Sequence, residues 1–366
     1  MSAFPDLNDV PIIEQCDECG QEPRPGRDCR VRVKNAKPPE HLLFSVPGDW
    51  PADFNDLSAR GGLGAASNGK DEALGRRDSR NHLALLKADG NKIGQVFATI
   101  ADHAAALPSL GANAVADLND ATEVAVEQAA RHVLVTDPDA PVKGALPHYV
   151  GGDDVLVSVP AARAWRFAAQ LGREFEALRI TWRDRVATDL PPGKDDALRE
   201  RLGALIDEVS LGIGIVFARA TYPIAAQHRI AGRALGEAKR LARGSFSAIA
   251  WVDLSAEGLA GTRPDGTWSQ AISVRDALDQ LNGTSPASWA DAADLFSVPP
   301  AGRSRLAQEL REAKGVADAK DVAEAWCKAN GRDALLALAK NDPYAILALT
   351  SRARWWPTAA VEEASR

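Results

Sequence analysis

The chain has 366 residues, 45% hydrophobic and 25% charged, the balance of an ordinary globular protein with room for two or three domains. Its formal net charge of −7 argues against nucleic-acid binding driven by bulk charge. No apolar run reaches the roughly 18 residues of a membrane span, and Met1 to Asp6 lacks a basic-then-apolar leader, so a cytoplasmic location with no membrane partner is expected.

The first 50 residues hold three of the four cysteines, in the order Cys16-x2-Cys19-Gly20 and then Cys29. In a reducing compartment this spacing favours a structural zinc over a disulfide. The glycine lets backbone N–H groups turn toward sulfur, and His41 is the nearest candidate for a fourth ligand. Arg24, Arg27, Arg30, Arg32, Lys34 and Lys37 form a basic patch, which reads either as a local site or as a solvated loop. Residues 51–80 are rich in Gly, Ser, Asn and Asp and read as a flexible connector. Within them, Gly64 to Asp71 nearly matches a P-loop. Asp71 stands where a hydroxyl should hold magnesium, and no buried strand precedes it, which disfavours that reading.

Leu83 to Ala88 reads as a buried strand. It ends in Asp89-Gly90-Asn91-Lys92-Ile93-Gly94, and a helical pattern follows to about Leu107. A carboxylate therefore leaves a strand end where a glycine turn opens a helix N-terminus, whose exposed N–H groups suit phosphates. About 65 residues downstream, His148 to Val159 places Gly151, Gly152, Asp153 and Asp154 between two β-rich runs. The glycines permit a tight hairpin with the acidic pair at its tip. Adjacent carboxylates repel and resist desolvation, so a bound cation explains them better than packing does, and magnesium takes one or two carboxylates plus substrate phosphates. The bland alternative is a solvated turn. If the two strands pair side by side, Asp89, Asp153 and Asp154 converge as in metal-assisted phosphoryl or nucleotidyl transfer.

Val209 to Ala218, containing Ser210-Leu211-Gly212, is a further β-like run. After Tyr222-Pro223 comes a helix from Ile224 to about Arg243, with Ala231, Leu235, Ala238 and Ala242 on one face and Lys239 near its end. Taken alone, Lys239 reads equally well as a solvated surface lysine. Ser245 to Val252 is one more strand, and Leu190 to Asp196 reads as a loop ahead of the Ser210 strand. Residues 260–300 carry many turn residues. From Arg303 to about Arg352 the pattern is helical, with Cys327 a small buried core residue.

The order strand, helix, helix, hairpin, helix, strand, helix, strand is that of a palm domain. On Asp89 to Gly94, Gly151 to Asp154, Ser210-Leu211-Gly212 and Pro223 through Ala238-Lys239-Arg240, the chain resembles the palm polymerase/cyclase domain of the CRISPR type III effector large subunit. It resembles the GGDEF nucleotidyl cyclases more distantly. The resemblance covers about residues 80–255. It implies an α+β, ferredoxin-like palm over 81–258, an antiparallel sheet with helices on one face. The N-terminal zinc region (1–50) and connector (51–80) would precede it, and a mostly helical C-terminal region (259–366) would follow.

The resemblance also implies site roles. Asp89 and Asp153 would be the principal Mg²⁺ or Mn²⁺ ligands, with Asp154 a further ligand or a support. Gly90, Asn91, Lys92, Ile93, Gly151, Gly152 and Ser210 would line the nucleotide site, and Lys239 would reach the triphosphate. ATP would be the substrate and an oligoadenylate or cyclic nucleotide second messenger the product, in antiviral defence. A second palm, from a homodimer or another subunit, and CRISPR effector subunits with RNA would be the partners. The family often has an Asp where this chain has Asn91, which removes one negative charge. That leaves open a non-catalytic, nucleotide-binding or scaffold palm. No His-Asp dipeptide occurs, so the nuclease domain that often accompanies the family is not expected.

Overall fold

The structure, a computed structural model, describes residues 50–51, 53–59, 81–133, 135–136, 141–142, 144–254, 271–282, 298–352 and 355–356. The zinc set Cys16, Cys19, Cys29 and His41, the basic patch and the P-loop-like stretch lie outside these residues.

A six-stranded sheet organises the fold, in the order β4-β5-β1-β6-β7-β8. Its centre is β1 (His82–Asn91), which is paired antiparallel to β5 (Asp154–Pro160) on one side and to β6 (Ser210–Arg219) on the other. Burial runs almost continuously along β1 and β6, as expected of strands covered on both faces. The hairpin partner of β5 is β4 (Leu146–Gly151), an edge strand with a bulge between Pro147 and Tyr149. Beyond β6 lie β7 (Ala248–Asp253) and β8 (Ala271–Ser273).

Between β1 and the hairpin come α2 (Ile93–Asp102), α3 (Pro108–Arg131) and a separate two-stranded ribbon, β2 (Val135–Thr136) and β3 (Pro141–Val142). After β5, a single 3₁₀ turn leads to α4 (Ala164–Phe175), α5 (Leu178–Asp189) and α6 (Asp196–Asp207). A short α1 (Phe54–Ala59) precedes the sheet and packs Leu57 against Leu83 and Ala220. The main core lies between the sheet and the α2–α6 layer. Ala84, Leu86 and Ala88 of β1 meet Val155, Val157, Val159, Leu211, Ile213, Ile215, Ile249 and helix residues such as Val126 and Phe167. Trp165 of α4 is fully buried there, with ring centroids 4.9 Å from those of both Trp251 and Trp356. Burying an aromatic of this size contributes on the order of 3 kcal/mol.

The expectation of an antiparallel sheet with helices on one face needs correction. β6 and β7 run parallel, from Gly212 opposite Ala248 to Phe217 opposite Asp253. The chain between them is α7 (Ile224–Ala242), and a strand–helix–strand crossover returns the second strand in the same direction. α7 lies on the face opposite the main core, where Ala234, Ala238 and Ala242 pack on Ala248, Ala250 and Val252. Gly212 and Gly214 form the groove it occupies. A Cβ on Gly214 would stand 2.2 Å from the Ala231 carbonyl oxygen.

α8 (Val274–Leu281) follows β8 and packs Val274, Ala277 and Leu281 into the main core. The turn-rich composition of 260–300 gave no sign of this strand and helix. Then α9 (Pro300–Glu312), α10 (Val316–Ala329), α11 (Asp333–Asn341) and α12 (Pro343–Arg352) bury a second cluster, including Leu306, Leu310, Ala323, Leu335 and Ile346. Cys327 is fully buried in that cluster as a free thiol.

Candidate active site on the palm sheet

The hairpin joins β4 to β5 through Gly152 and Asp153, with Gly151 paired to Asp154. Gly152 has φ 58, and among the described non-glycine residues only Lys92 and Arg243 have positive φ. Positive φ at the first central residue alone is the pattern of a II′ turn, which asks for glycine there. Asp154 therefore starts β5, and Asp153 sits at the tip. The last pair between β1 and β5 is Ala88 with Val155, so Asp89 and Asp154 are the next residues along the two strands. Side-by-side pairing thus makes the three acids neighbours across the strand ends.

Two residues unmarked by the sequence pin the tip. Asn119 Oδ1 accepts from the Gly152 N–H at 2.8 Å, and the Thr122 hydroxyl donates to the Gly152 carbonyl at 2.6 Å. Both lie on α3, three residues apart and so on one face of the helix. Only the packing of α3 against β4 gives them a role. A third such residue is Tyr149, 47% exposed. Its hydroxyl lies 3.0 Å from where a Cβ on Gly151 would stand, so the phenol covers Gly151 beside Asp154. Alternation along β4 places residues 149 and 151 on one face, the signal that could have marked it.

The carboxylates are held in an environment that penalises their charges. Burial, and then repulsion from Asp89, raise the Asp153 pKa, against hydrogen bonds from its own and the Gly90 backbone N–H and attraction by Lys239. Asp153 also packs against Gly90, where an added Cβ would stand 2.8 Å from its Oδ2. Burial, then Asp89, then Asp153, push Asp154 up to about 6, opposed by Lys87 and Lys239. Asp154 is exposed at the strand start, which lets water screen part of this repulsion. Such clustering of perturbed acids is typical of functional sites.

Lys239 arrives from α7, its stem crossing Gly212, where a Cβ would stand 2.7 Å from its Cγ. Its ammonium is ion-paired with Asp89 Oδ1 and donates to the Gly90 carbonyl at 3.1 Å. Lys87, two residues before Asp89, lies 3.1 Å from His228 Nε2 of the same helix. Burial, and then Lys87, lower the His228 pKa, so a neutral imidazole accepts from the ammonium.

The turn after β1 is tightly tied. Lys92 caps α2 in a left-handed conformation, φ 68, and its ammonium reaches Glu208 at 3.1 Å. Ile93 is buried in the core as the first residue of α2. Asn91 and Ser210 are paired across β1 and β6, and the Asn91 amide donates to the Ser210 hydroxyl at 3.0 Å. Both are buried, and they satisfy one another beneath the strand ends.

Among the described residues, no three His, Cys, Asp or Glu side chains close tightly enough to hold one metal ion. The acids form a row across the ends of β1 and β5. The donor set nevertheless fits a hard cation. The Lys239 ammonium already sits as a stand-in positive charge between a carboxylate and a backbone carbonyl, both oxygens of the kind magnesium takes. Magnesium needs only one or two carboxylates and fills the remaining positions with water and phosphate.

An open α+β sheet with an acidic hairpin beside a strand-end carboxylate and a helix-borne lysine defines a palm domain. Residues 82–247 match the Cas10/Cmr2 second palm domain, the palm of the large subunit of type III CRISPR effectors. Among solved structures, the crystal structure of Csm1 in T. onnurineus aligns at 15% identity with a TM-score of 0.47. The alignment covers 85% of this chain and 42% of that one, so the chain spans less than half the length of that relative. No curated protein matches.

Proposed function

We propose that this palm is a metal-dependent nucleotidyltransferase that converts ATP into an oligoadenylate or cyclic nucleotide second messenger, within a type III CRISPR or related antiviral effector. The observation that carries the reading is the row formed by Asp153, Asp154 and Asp89, closed by Lys239. Costly neighbouring carboxylates at the end of a well-packed sheet serve no packing purpose. Asp89 and Asp153 would hold Mg²⁺ or Mn²⁺ with the Gly90 carbonyl, and Asp154 would support them. The bound ion would neutralise charge developing on the phosphoryl oxygens. Lys239 would bind the triphosphate as a point charge, and the Ile93 and Gly94 N–H groups at the start of α2 would serve its oxygens, those of Gln95 and Val96 already donating to the Lys92 carbonyl at 2.9 and 3.0 Å. In the transfer, a 3′-oxygen attacks the α-phosphorus and pyrophosphate leaves. The nucleotide partners would be held across a second palm, from another copy of this chain or from another subunit, and effector subunits with RNA would supply the activating context.

Asp89→Ala and Asp153→Ala are expected to abolish metal-dependent ATP turnover while leaving the melting temperature within a few degrees, since neither change opens the apolar core. Mass spectrometry of products from ATP with Mg²⁺ or Mn²⁺ reads the first outcome, and thermal denaturation reads the second. Full turnover by Asp153→Ala would sink the assignment.

A second reading is favoured by Asn91. Its amide is committed to Ser210 in the interior, so no second acidic group follows Asp89 into the site. On that reading the palm binds nucleotide or serves as a scaffold with weak or no turnover. ATP binding without product formation would select it.

A further inference from the structure

Lys239 contacts both oxygens to which a metal ion would be drawn on β1. It is ion-paired with the Asp89 carboxylate and donates to the Gly90 carbonyl at 3.1 Å. The two side chains are 33% and 35% exposed, so water screens their attraction only partly. We propose that Lys239 competes with the divalent cation for Asp89 and the Gly90 carbonyl, so that metal and nucleotide phosphate bind cooperatively through an exchange of counter-ions. This rests on the reading above of Asp89 as a metal ligand.

The argument is electrostatic. A divalent ion arriving alone must displace the ammonium from Asp89, and the two cations then repel each other at short range. The displaced ammonium stays close by, because the Lys239 stem is held in the Gly212 groove against β6. A triphosphate gives it a new anionic partner on that same side of Asp89. Metal binding thus costs less when phosphate is present, and by linkage phosphate binds better when metal is present. Lysine suits this exchange, as a compact charge on a flexible stem with three donors that can be redirected.

The inference makes Lys239 act with opposite sign on two ligands. A lysine that only bound phosphate would leave metal-alone affinity unchanged. The test titrates Mn²⁺ by electron paramagnetic resonance, without nucleotide, into the intact protein and into Lys239→Met, Lys87→Met and Asp89→Asn. Lys239→Met keeps the apolar stem over Gly212, and circular dichroism checks its fold, with Lys239→Gln as a second variant. Both Lys239 variants are expected to bind Mn²⁺ about tenfold more tightly than wild type, the scale of an opposite charge at this distance. Lys87→Met, which removes a cation near Asp154, should change Mn²⁺ affinity far less. Both Lys239 variants should bind a non-hydrolysable ATP analogue with Mg²⁺ at least about tenfold more weakly. Unchanged or weaker Mn²⁺ binding in both Lys239 variants, with Asp89→Asn still abolishing it, overturns the exchange and leaves the metal assignment standing. Mn²⁺ binding that is indifferent to Asp89→Asn, or absent from every form, overturns both.

Discussion

His148 shows what one residue contributes to this hairpin. It sits at the β4 bulge, fully buried, with Nε2 2.7 Å from the Ser158 hydroxyl and the Phe54 ring edge-on at 5.8 Å. Among the described residues, its Nδ1 has no hydrogen-bond partner. Burial lowers its pKa to about 4. The folded state therefore binds its proton less readily than the unfolded chain, whose imidazole titrates near 6.5. Stability from this group is intact above pH 6.5 and falls as pH drops toward 4, by about 3 kcal/mol in all. His148→Gln retains a donor and acceptor for Ser158 without a titrating ring. Urea denaturation at pH 7 and pH 4.5 is expected to show a clearly smaller acid loss in the variant than in wild type. Equal acid losses would place the titration elsewhere.

At the scale of elements, the acidic row depends on how closely α7 approaches the sheet. Gly214 permits that approach, since an added Cβ would meet the Ala231 oxygen at 2.2 Å and the Leu235 nitrogen at 2.5 Å. Both atoms are backbone, so the clash can be relieved only by moving the helix. Gly214→Ala is expected to destabilise the fold by about 1–3 kcal/mol, as overpacking does, and to lower nucleotide affinity by drawing Lys239 off the row. Chemical denaturation and nucleotide titration check the two effects. A stable variant with unaltered nucleotide binding would show that α7 tolerates displacement. Gly94, by contrast, faces open space on the exposed side of α2, where alanine meets nothing. The two positions look alike in the sequence and differ only in what stands opposite them.

Across the whole molecule, the distant end of the chain returns to the palm. Trp355 donates its indole N–H to Asp253 at 2.8 Å and stacks on Phe217 at 5.8 Å, while Trp356 joins Trp165 in the main core. The helices α9–α12 keep a separate apolar cluster, so the tryptophans after α12 tie that cluster to the sheet. The acidic row itself lies at one end of the sheet, bordered by Tyr149 on the β4 side and by Lys239 over β6. On the proposed function, such a face would present one nucleotide site. Joining two nucleotides requires an acceptor hydroxyl within about 3–3.5 Å of the donor phosphorus. A two-fold pair of palms would bring two such faces together. Light scattering with a non-hydrolysable ATP analogue and Mg²⁺ is expected to show a dimer whose formation tracks turnover. A strictly monomeric protein making dinucleotides at a rate proportional to its concentration would exclude the paired arrangement.

Much of this was legible in the sequence because the signals were local. Asp89 ends an apolar run, Gly151-Gly152-Asp153-Asp154 is a turn by composition, and the alanine periodicity before Lys239 marks a helix face. Each follows from backbone geometry within a few residues. The tertiary structure decided what depends on contacts across the chain. It made β6 and β7 parallel, put α7 on the face opposite the main core and turned Asn91 inward to Ser210. It also recruited Asn119, Thr122 and Tyr149 to the hairpin. None of these has a local signature, since an Asn or Thr on a helix reads as surface until a neighbouring strand fixes what it meets. Lys239 marks the boundary: its sequence fits a solvated helix lysine equally well, and only the groove at Gly212 carries its ammonium to Asp89.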